Sequence, residues 1–287
     1  MTHVTTIAAL FLLLLPQGRF TAPGTDNDPV EPYRIADHLY YVGTRDIASY
    51  LITTPEGDIL IDAGYEETPP LIQASIVKLG FTIADVKIIL NTQAHFDHSA
   101  GLAKMKELTG ARLMVSDEDA ALIERGGLGD YLFGDKAAFP PAKVDRRLKD
   151  GDTVRLGGVV LTAHVTGGHT KGCTTWTFDA TDRGHTYHVV DVGGTSMNPG
   201  TRASGMPTYP NLTHDFQHTF DVLRELRCDI FLGAHRSYYG GAKKADELRA
   251  HPDGPNPFVD PLGYQAFVTR VEKVFQDQLA AEKQQKK

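Results

Sequence analysis

The sequence predicts an α+β fold in which helices lie outside a central pair of sheets. Three observations predict it. Runs of strand formers cluster at residues 39–62 and again at 153–190, helix-like stretches follow each cluster, and no close internal repeat or low-complexity domain interrupts them. At 287 residues the chain suits one large core, or two fused layers sharing one. Its 41% hydrophobic and 23% charged residues are ordinary for a soluble globular protein. A formal charge of -7, with no Lys/Arg stripe, argues against a nucleic-acid partner.

Taken in order, residues 7–15 are an apolar run too short to span a bilayer comfortably, and they read as the core of a secretory signal peptide. No Lys or Arg precedes the run and no clear small-x-small cleavage site follows it, so a poorly ordered N-terminus or a lipid-facing stub is the competing reading. Residues 1–22 are assigned to the signal peptide and its processing region. Residues 23–287 are assigned to a single domain of two fused αβ halves with a C-terminal helix. Strands are predicted at 39–42, 49–53 and 59–62, the last two joined by the Pro55-Glu56-Gly57-Asp58 turn. A helix near 70–77 stops before Gly80, a strand at 86–90 follows, and the next helix covers 99–108 with Gly110 near its end. Residues 126–141, rich in Gly and Pro, form either a loop over a site or a connection between the halves. Further strands are predicted at 153–156, 159–165, 174–178, 187–190 and 230–232, with helices over 215–226 and 264–282.

Cys173 and Cys228 are the two cysteines, and their apolar neighbours suit either two buried small side chains or a disulfide. Neither has an evident base beside it in sequence that would make it a reactive thiol.

The chemistry concentrates between the strand at 86–90 and the helix after it, in Gln93-Ala94-His95-Phe96-Asp97-His98. Imidazole nitrogens and carboxylate oxygens are ordinary zinc ligands, whereas the Gln93 amide oxygen is a weaker, neutral donor. Residues i and i+2 of an extended segment point to one side, which brings Gln93 and His95 together. His169, in the tight loop Gly167-Gly168-His169-Thr170-Lys171-Gly172, and His235, after Gly233-Ala234, each offer one more donor after a strand. Donor count and geometry then give two zinc positions: Gln93, His95 and His169 in the first, Asp97, His98 and His235 in the second. Three protein ligands each leave coordination open for water, as catalytic zinc requires. His164 reads as a strand residue supporting the site, and His188 packs near the same face. His38, His185, His214, His218 and His251 have no comparable context. Asp62 either orients a ligand by hydrogen bonding or holds a loop.

With Tyr41-Val42-Gly43-Thr44, Leu60-Ile61-Asp62-Ala63-Gly64 and Leu232-Gly233-Ala234-His235 added to these motifs, residues 32–260 resemble the metallo-beta-lactamase superfamily and, within it, subclass B3. The resemblance implies a four-layer αβ/βα sandwich, two mixed sheets flanked by helices, with the metals at one edge. It also implies a periplasmic enzyme; beside it, export by the signal peptide, no stable membrane insertion after processing and a monomeric state are expected. Its substrates would be penicillins, cephalosporins and carbapenems. Gln93 stands where the commoner B3 pattern has His, so the first zinc is expected to be the weaker or partly occupied one. Asp97 would both ligate zinc and orient the attacking water. Many B3 enzymes carry a serine near residues 193–196; Gly193 or Gly194 aligns there, with Thr195 one register away. Thr195, Ser196, Tyr238 and Tyr239 are candidate substrate contacts. Asp191 raises the prospect of a bridging carboxylate, as in branches acting on thioesters or lactones. Two alternatives therefore stand beside the lactamase: a related zinc hydrolase of lactones or thioesters, and a zinc-binding protein without catalysis.

Overall fold

The computed structural model describes residues 26–285, so the apolar run at 7–15 and the boundary at residue 22 lie outside the described residues. The chain opens with β1 (Tyr33–Ala36), β2 (Leu39–Tyr41), β3 (Tyr50–Thr54) and β4 (Gly57–Ile61). These form an antiparallel meander. After α1 (Pro69–Lys78), β5 (Val86–Leu90) joins β4 in parallel. Then come α2 (Phe96–Ser99), α3 (Leu102–Thr109), β6 (Arg112–Ser116), α4 (Asp117–Glu124) and β7 (Arg146–Leu148). The last two strands extend the parallel part, completing a seven-stranded mixed sheet in the order β1 to β7.

The second sheet begins with β8 (Thr153–Leu156), β9 (Val159–Val165), β10 (Thr174–Asp182) and β11 (His185–Val192), paired antiparallel. Past α5 (Leu212–Glu225), β12 (Ile230–Gly233) adds in parallel beside β11, giving the order β12-β11-β10-β9-β8. The helices α6 (Gly241–Ala250) and α7 (Pro261–Gln285) close the chain. Two mixed sheets flanked by helices make the αβ/βα sandwich that the sequence predicts. Among the described residues no helix is long and apolar enough to cross a membrane.

The two-residue period of a strand decides which layer each side chain joins. In β5, Ile88 and Leu90 face the inter-sheet core with Trp176, Phe178 and Val190, whereas Ile89 faces Ile72, Leu102 and Met105 of the helices. Both faces of β5 are therefore buried, as expected of a parallel central strand. A third cluster joins α5 to α7 through Phe216, Phe220 and Phe275.

The helix predicted over 99–108 is in fact two, broken at Gly101. A Cβ there would lie 2.2 Å from the Ala63 carbonyl oxygen, so the loop after β4 presses into the break. α2 begins immediately after His95 and carries Asp97 and His98 in its single turn. Both cysteines are free and buried, and the disulfide alternative falls away.

Candidate metal centre

Three chain segments bring the predicted donors to one edge of the sandwich. The segment after β5 supplies Gln93 and His95 and runs into Asp97 and His98; the loop after β9 supplies His169; the turn after β12 supplies His235. Parallel pairing sets the carboxyl ends of β4 beside β5 and of β11 beside β12, which is why these loops meet.

Among the described residues, Asp97, His98 and His235 form a group able to hold a metal ion, with ligand atoms all within 4.8 Å of one another. His98 Nε2 lies 3.3 Å from His235 Nε2 and 3.2 Å from Asp97 Oδ2. Each imidazole is fixed from behind through Nδ1: His98 by Asp62 Oδ2 at 3.1 Å and His235 by Asp46 Oδ2 at 2.9 Å. A carboxylate partner on Nδ1 holds the ring and leaves Nε2 free for a metal. Asp62 is itself fixed by Asn91 Nδ2, by the Thr92 N–H and by the Thr92 hydroxyl at 2.5 Å. Burial favours the neutral imidazole of His98, but Asp97 and Asp62 outweigh it and push its pKa up to about 10. Burial likewise disfavours the Asp97 carboxylate, yet His98, His235 and His95 hold it well below the usual carboxylate range. These opposed shifts describe an acidic group and two imidazoles compressed around one point, and a dication bound there would take the proton's place.

The other histidines also converge. His95 Nδ1 lies 3.0 Å from His169 Nε2. His169 donates from Nδ1 to the Ser196 carbonyl at 2.6 Å, which frees its Nε2, and burial pushes its pKa down to about 3. His95 Nε2 is 3.6 Å from Asp130 Oδ2, just beyond hydrogen-bond reach. Gln93 is fully buried, and neither Oε1 nor Nε2 of its amide has a hydrogen-bond partner. A buried amide left unpaired costs free energy unless another ligand satisfies it, so the chemistry of Gln93 is compatible with a donor role.

The donors open into a cavity of about 240 Å³ lined by His95, Asp97, His169 and His235. Phe96 and Phe133 form an aromatic wall, their rings 5.8 Å apart and T-shaped. Ser196, Asn198, Ser237 and Tyr238 line the rest of it, Ser196 beside His169 and Tyr238 beside His235. Thus residues 126–141 do reach the site, through Phe133. Of the candidate substrate contacts, Ser196 and Tyr238 line the cavity, whereas Thr195 and Tyr239 do not. Tyr239 is turned into the interior, where its hydroxyl meets that of Tyr50 at 3.1 Å and its ring packs on Phe231 and Phe258. Asp191 is fully buried on β11, paired with Trp176 and Leu232; burial, with Asp62 nearby, raises its pKa well above normal. It lies outside the cavity lining, and neither of its carboxylate oxygens has a hydrogen-bond partner. Gly194 has no room for a side chain, since a Cβ would lie 2.3 Å from His169 Cδ2. His164 bonds Thr177 Oγ1 on the neighbouring strand at 2.9 Å, and His188 bonds Asp179 at 2.8 Å.

Sequence reasoning missed Asp46 and Asp130. Asp46 stands 189 positions from the imidazole it holds, and the two meet only because the segments around Ile47 and His235 bridge to each other in the fold. Asp130 forms a turn, accepting the N–H groups of Leu132 and Phe133, and gives no linear signal of facing His95.

Residues 42–183 match the family model of the metallo-beta-lactamase superfamily. The native FEZ-1 metallo-beta-lactamase from Legionella gormanii is 44% identical and superposes with a TM-score of 0.87, covering 90% of this chain and 98% of that one. The class B3 di-zinc metallo-beta-lactamase LRA-12 from an Alaskan soil metagenome is 34% identical with a TM-score of 0.86, covering 91% and 99% respectively. A hydroxyacylglutathione hydrolase of Rhodopseudomonas palustris is 27% identical over 135 residues, 47% of this chain and 44% of its own length. The chain thus spans less than half of that curated relative. With donor edge, sandwich and near-complete superposition all in agreement, the chain belongs to the metallo-beta-lactamase superfamily and has the fold of its B3 enzymes.

Proposed function

We propose that the protein is a zinc-dependent beta-lactamase that opens the beta-lactam amide of penicillins, cephalosporins and carbapenems. The observation that carries this is the convergence of Asp97, His98 and His235 on an open cavity, in a chain 44% identical to FEZ-1 over nearly all of that enzyme. Asp97, His98 and His235 would hold one zinc; Gln93, His95 and His169 would hold a second, more weakly. When bound, zinc supplies Lewis acidity that lowers the pKa of water and polarises a carbonyl.

The chain's own residues supply position and proton handling. Asp97 accepts a hydrogen bond from the attacking water and aims its lone pair at the lactam carbon. A new C–O bond forms, the C–N bond breaks, and the proton released by the water ends on the departing nitrogen. Ser196, Asn198 and Ser237 offer neutral hydrogen-bonding groups to the substrate's polar edge, while Phe96 and Phe133 exclude water from its apolar side. The apolar run at residues 7–15 supports export to the periplasm, where the enzyme would act as a monomer.

Hydrolysis of a chromogenic cephalosporin by purified protein, before and after chelation and after zinc restoration, tests this reading. Turnover that disappears on stripping and returns with zinc is expected. Persistent activity in fully stripped protein rejects the mechanism. A thioester such as a hydroxyacylglutathione, assayed in parallel and turned over faster than any beta-lactam, overturns the substrate class.

A further inference from the structure

Below the first donor set lies a carboxylate that the reaction does not use. Asp119, the third residue of α4, is only 1% exposed. Its Oδ2 accepts the backbone N–H of Ala94 at 2.9 Å and the Thr170 hydroxyl at 2.6 Å, and its Oδ1 accepts the Gly172 N–H at 2.8 Å. Ala94 stands between Gln93 and His95, and Thr170 directly follows His169. One side chain therefore grips both segments that supply this donor set, one from each half of the sandwich.

The fit around this grip is close. A Cβ at Gly172 would fall 2.5 Å from Asp119 N and 2.2 Å from Ser116 Oγ, and the Ser116 hydroxyl bonds the Gly172 carbonyl at 2.5 Å. The second donor set is held differently, each imidazole by its own carboxylate: His98 by Asp62 and His235 by Asp46.

We propose that Asp119 is a positioning residue, a clasp that fixes Gln93 and His95 relative to His169 and thereby sets the zinc affinity of the first site alone. The proposal rests on the reading that those three residues hold a zinc. Asp119→Asn is nearly isosteric, but it replaces an acceptor oxygen by an NH2 donor. Turned one way, the amide opposes the Ala94 N–H; turned the other, it opposes the Gly172 N–H. Either orientation leaves one buried backbone donor unpaired and loosens one of the two segments.

Zinc titration against a chromophoric chelator, on wild type, Asp119→Asn and Thr170→Val, decides the matter without any assay of turnover. In wild type two binding steps are expected. In Asp119→Asn the weaker step should lose roughly 10–100-fold in affinity, the range typical of groups that orient metal ligands, with the stronger step unmoved. Thr170→Val, which removes one of the three bonds, should shift the weaker step in the same direction by less. Equal weakening of both steps, or of neither, overturns the clasp. A single step in wild type removes the first site itself and the proposal with it. If Asp119→Asn does not fold, Thr170→Val decides alone.

Discussion

The two donor sets share one edge and contain two imidazoles apiece, yet they differ in their third member. His95 and His169 approach to 3.0 Å and His98 and His235 to 3.3 Å, so the fold builds both imidazole pairs with equal economy. What separates them is an amide, Gln93, against a carboxylate, Asp97. A carboxylate brings a full negative charge to a dication in a partly buried site, where it is poorly screened; an amide brings only a dipole. The carboxylates behind the rings add to the contrast. Asp62 and Asp46 are hydrogen-bonded to the imidazoles of the second set, whereas His169 has a backbone carbonyl and Asp130 stays 3.6 Å from His95. Topology thus supplies both imidazole pairs, and under the proposed two-zinc reading the third donor would decide which pair keeps its metal.

The largest expected effect breaks the stronger set. Asp97→Asn keeps the shape but removes both the anionic donor and the acceptor that orients water. Cephalosporin turnover at saturating zinc should fall on the order of 10³-fold, within the span for removal of a catalytic acid–base group. Activity within tenfold of wild type would show that the charge of Asp97 is not what distinguishes the sets.

A smaller effect breaks the weaker set and spares the other. Gly194→Ala places a methyl group 2.3 Å from His169 Cδ2, so the ring must move off its bond to the Ser196 carbonyl. The weaker zinc step should lose roughly tenfold or more in affinity, with the stronger step constant in the same chelator competition. The site thus leaves no space for a serine at this position without rearrangement of His169. A variant with both steps unchanged would mean that His169 is not a donor.

Much of this contrast is legible in the sequence, and for a physical reason. Zinc ligation draws on few residue types, and His95, Asp97 and His98 lie within one turn at a strand-to-helix junction, where local spacing alone brings them together. His169 and His235 are legible because each follows a strand through a glycine-bearing turn. Of the groups that hold the donors in place, Asp62 is legible as a residue that orients a ligand or holds a loop, but the others are not. Asp46 and Asp119 act across contacts between the two halves of the sandwich, Asp130 approaches His95 from a distant turn, and an Asp in a turn or a first helical turn has an ordinary local explanation. Tyr239 fails for the complementary reason. It adjoins Tyr238 in sequence, but successive residues of the turn point apart, so one ring lines the cavity and the other joins the Tyr50 cluster. The break in the helix at Gly101 was equally hidden, being imposed by a carbonyl from a loop 38 positions away (101 − 63).

The smallest expected effect sharpens the comparison by making the sets more alike. Gln93→His exchanges a neutral amide for an imidazole of similar bulk at a fully buried position whose present polar atoms have no hydrogen-bond partner. The weaker zinc step should tighten by roughly tenfold, about 1.4 kcal/mol, and the stronger step should stay where it is. The direction is the informative part. A carboxylate added to the first set could tighten zinc through charge alone, whereas histidine is neutral and acts only through the quality of its lone pair. Tightening by Gln93→His therefore assigns the weakness of the first set to its amide. Unchanged affinity at both steps would instead place the difference in the carboxylates that stand behind the rings, and Asp62 and Asp46 would then carry what is here ascribed to Gln93.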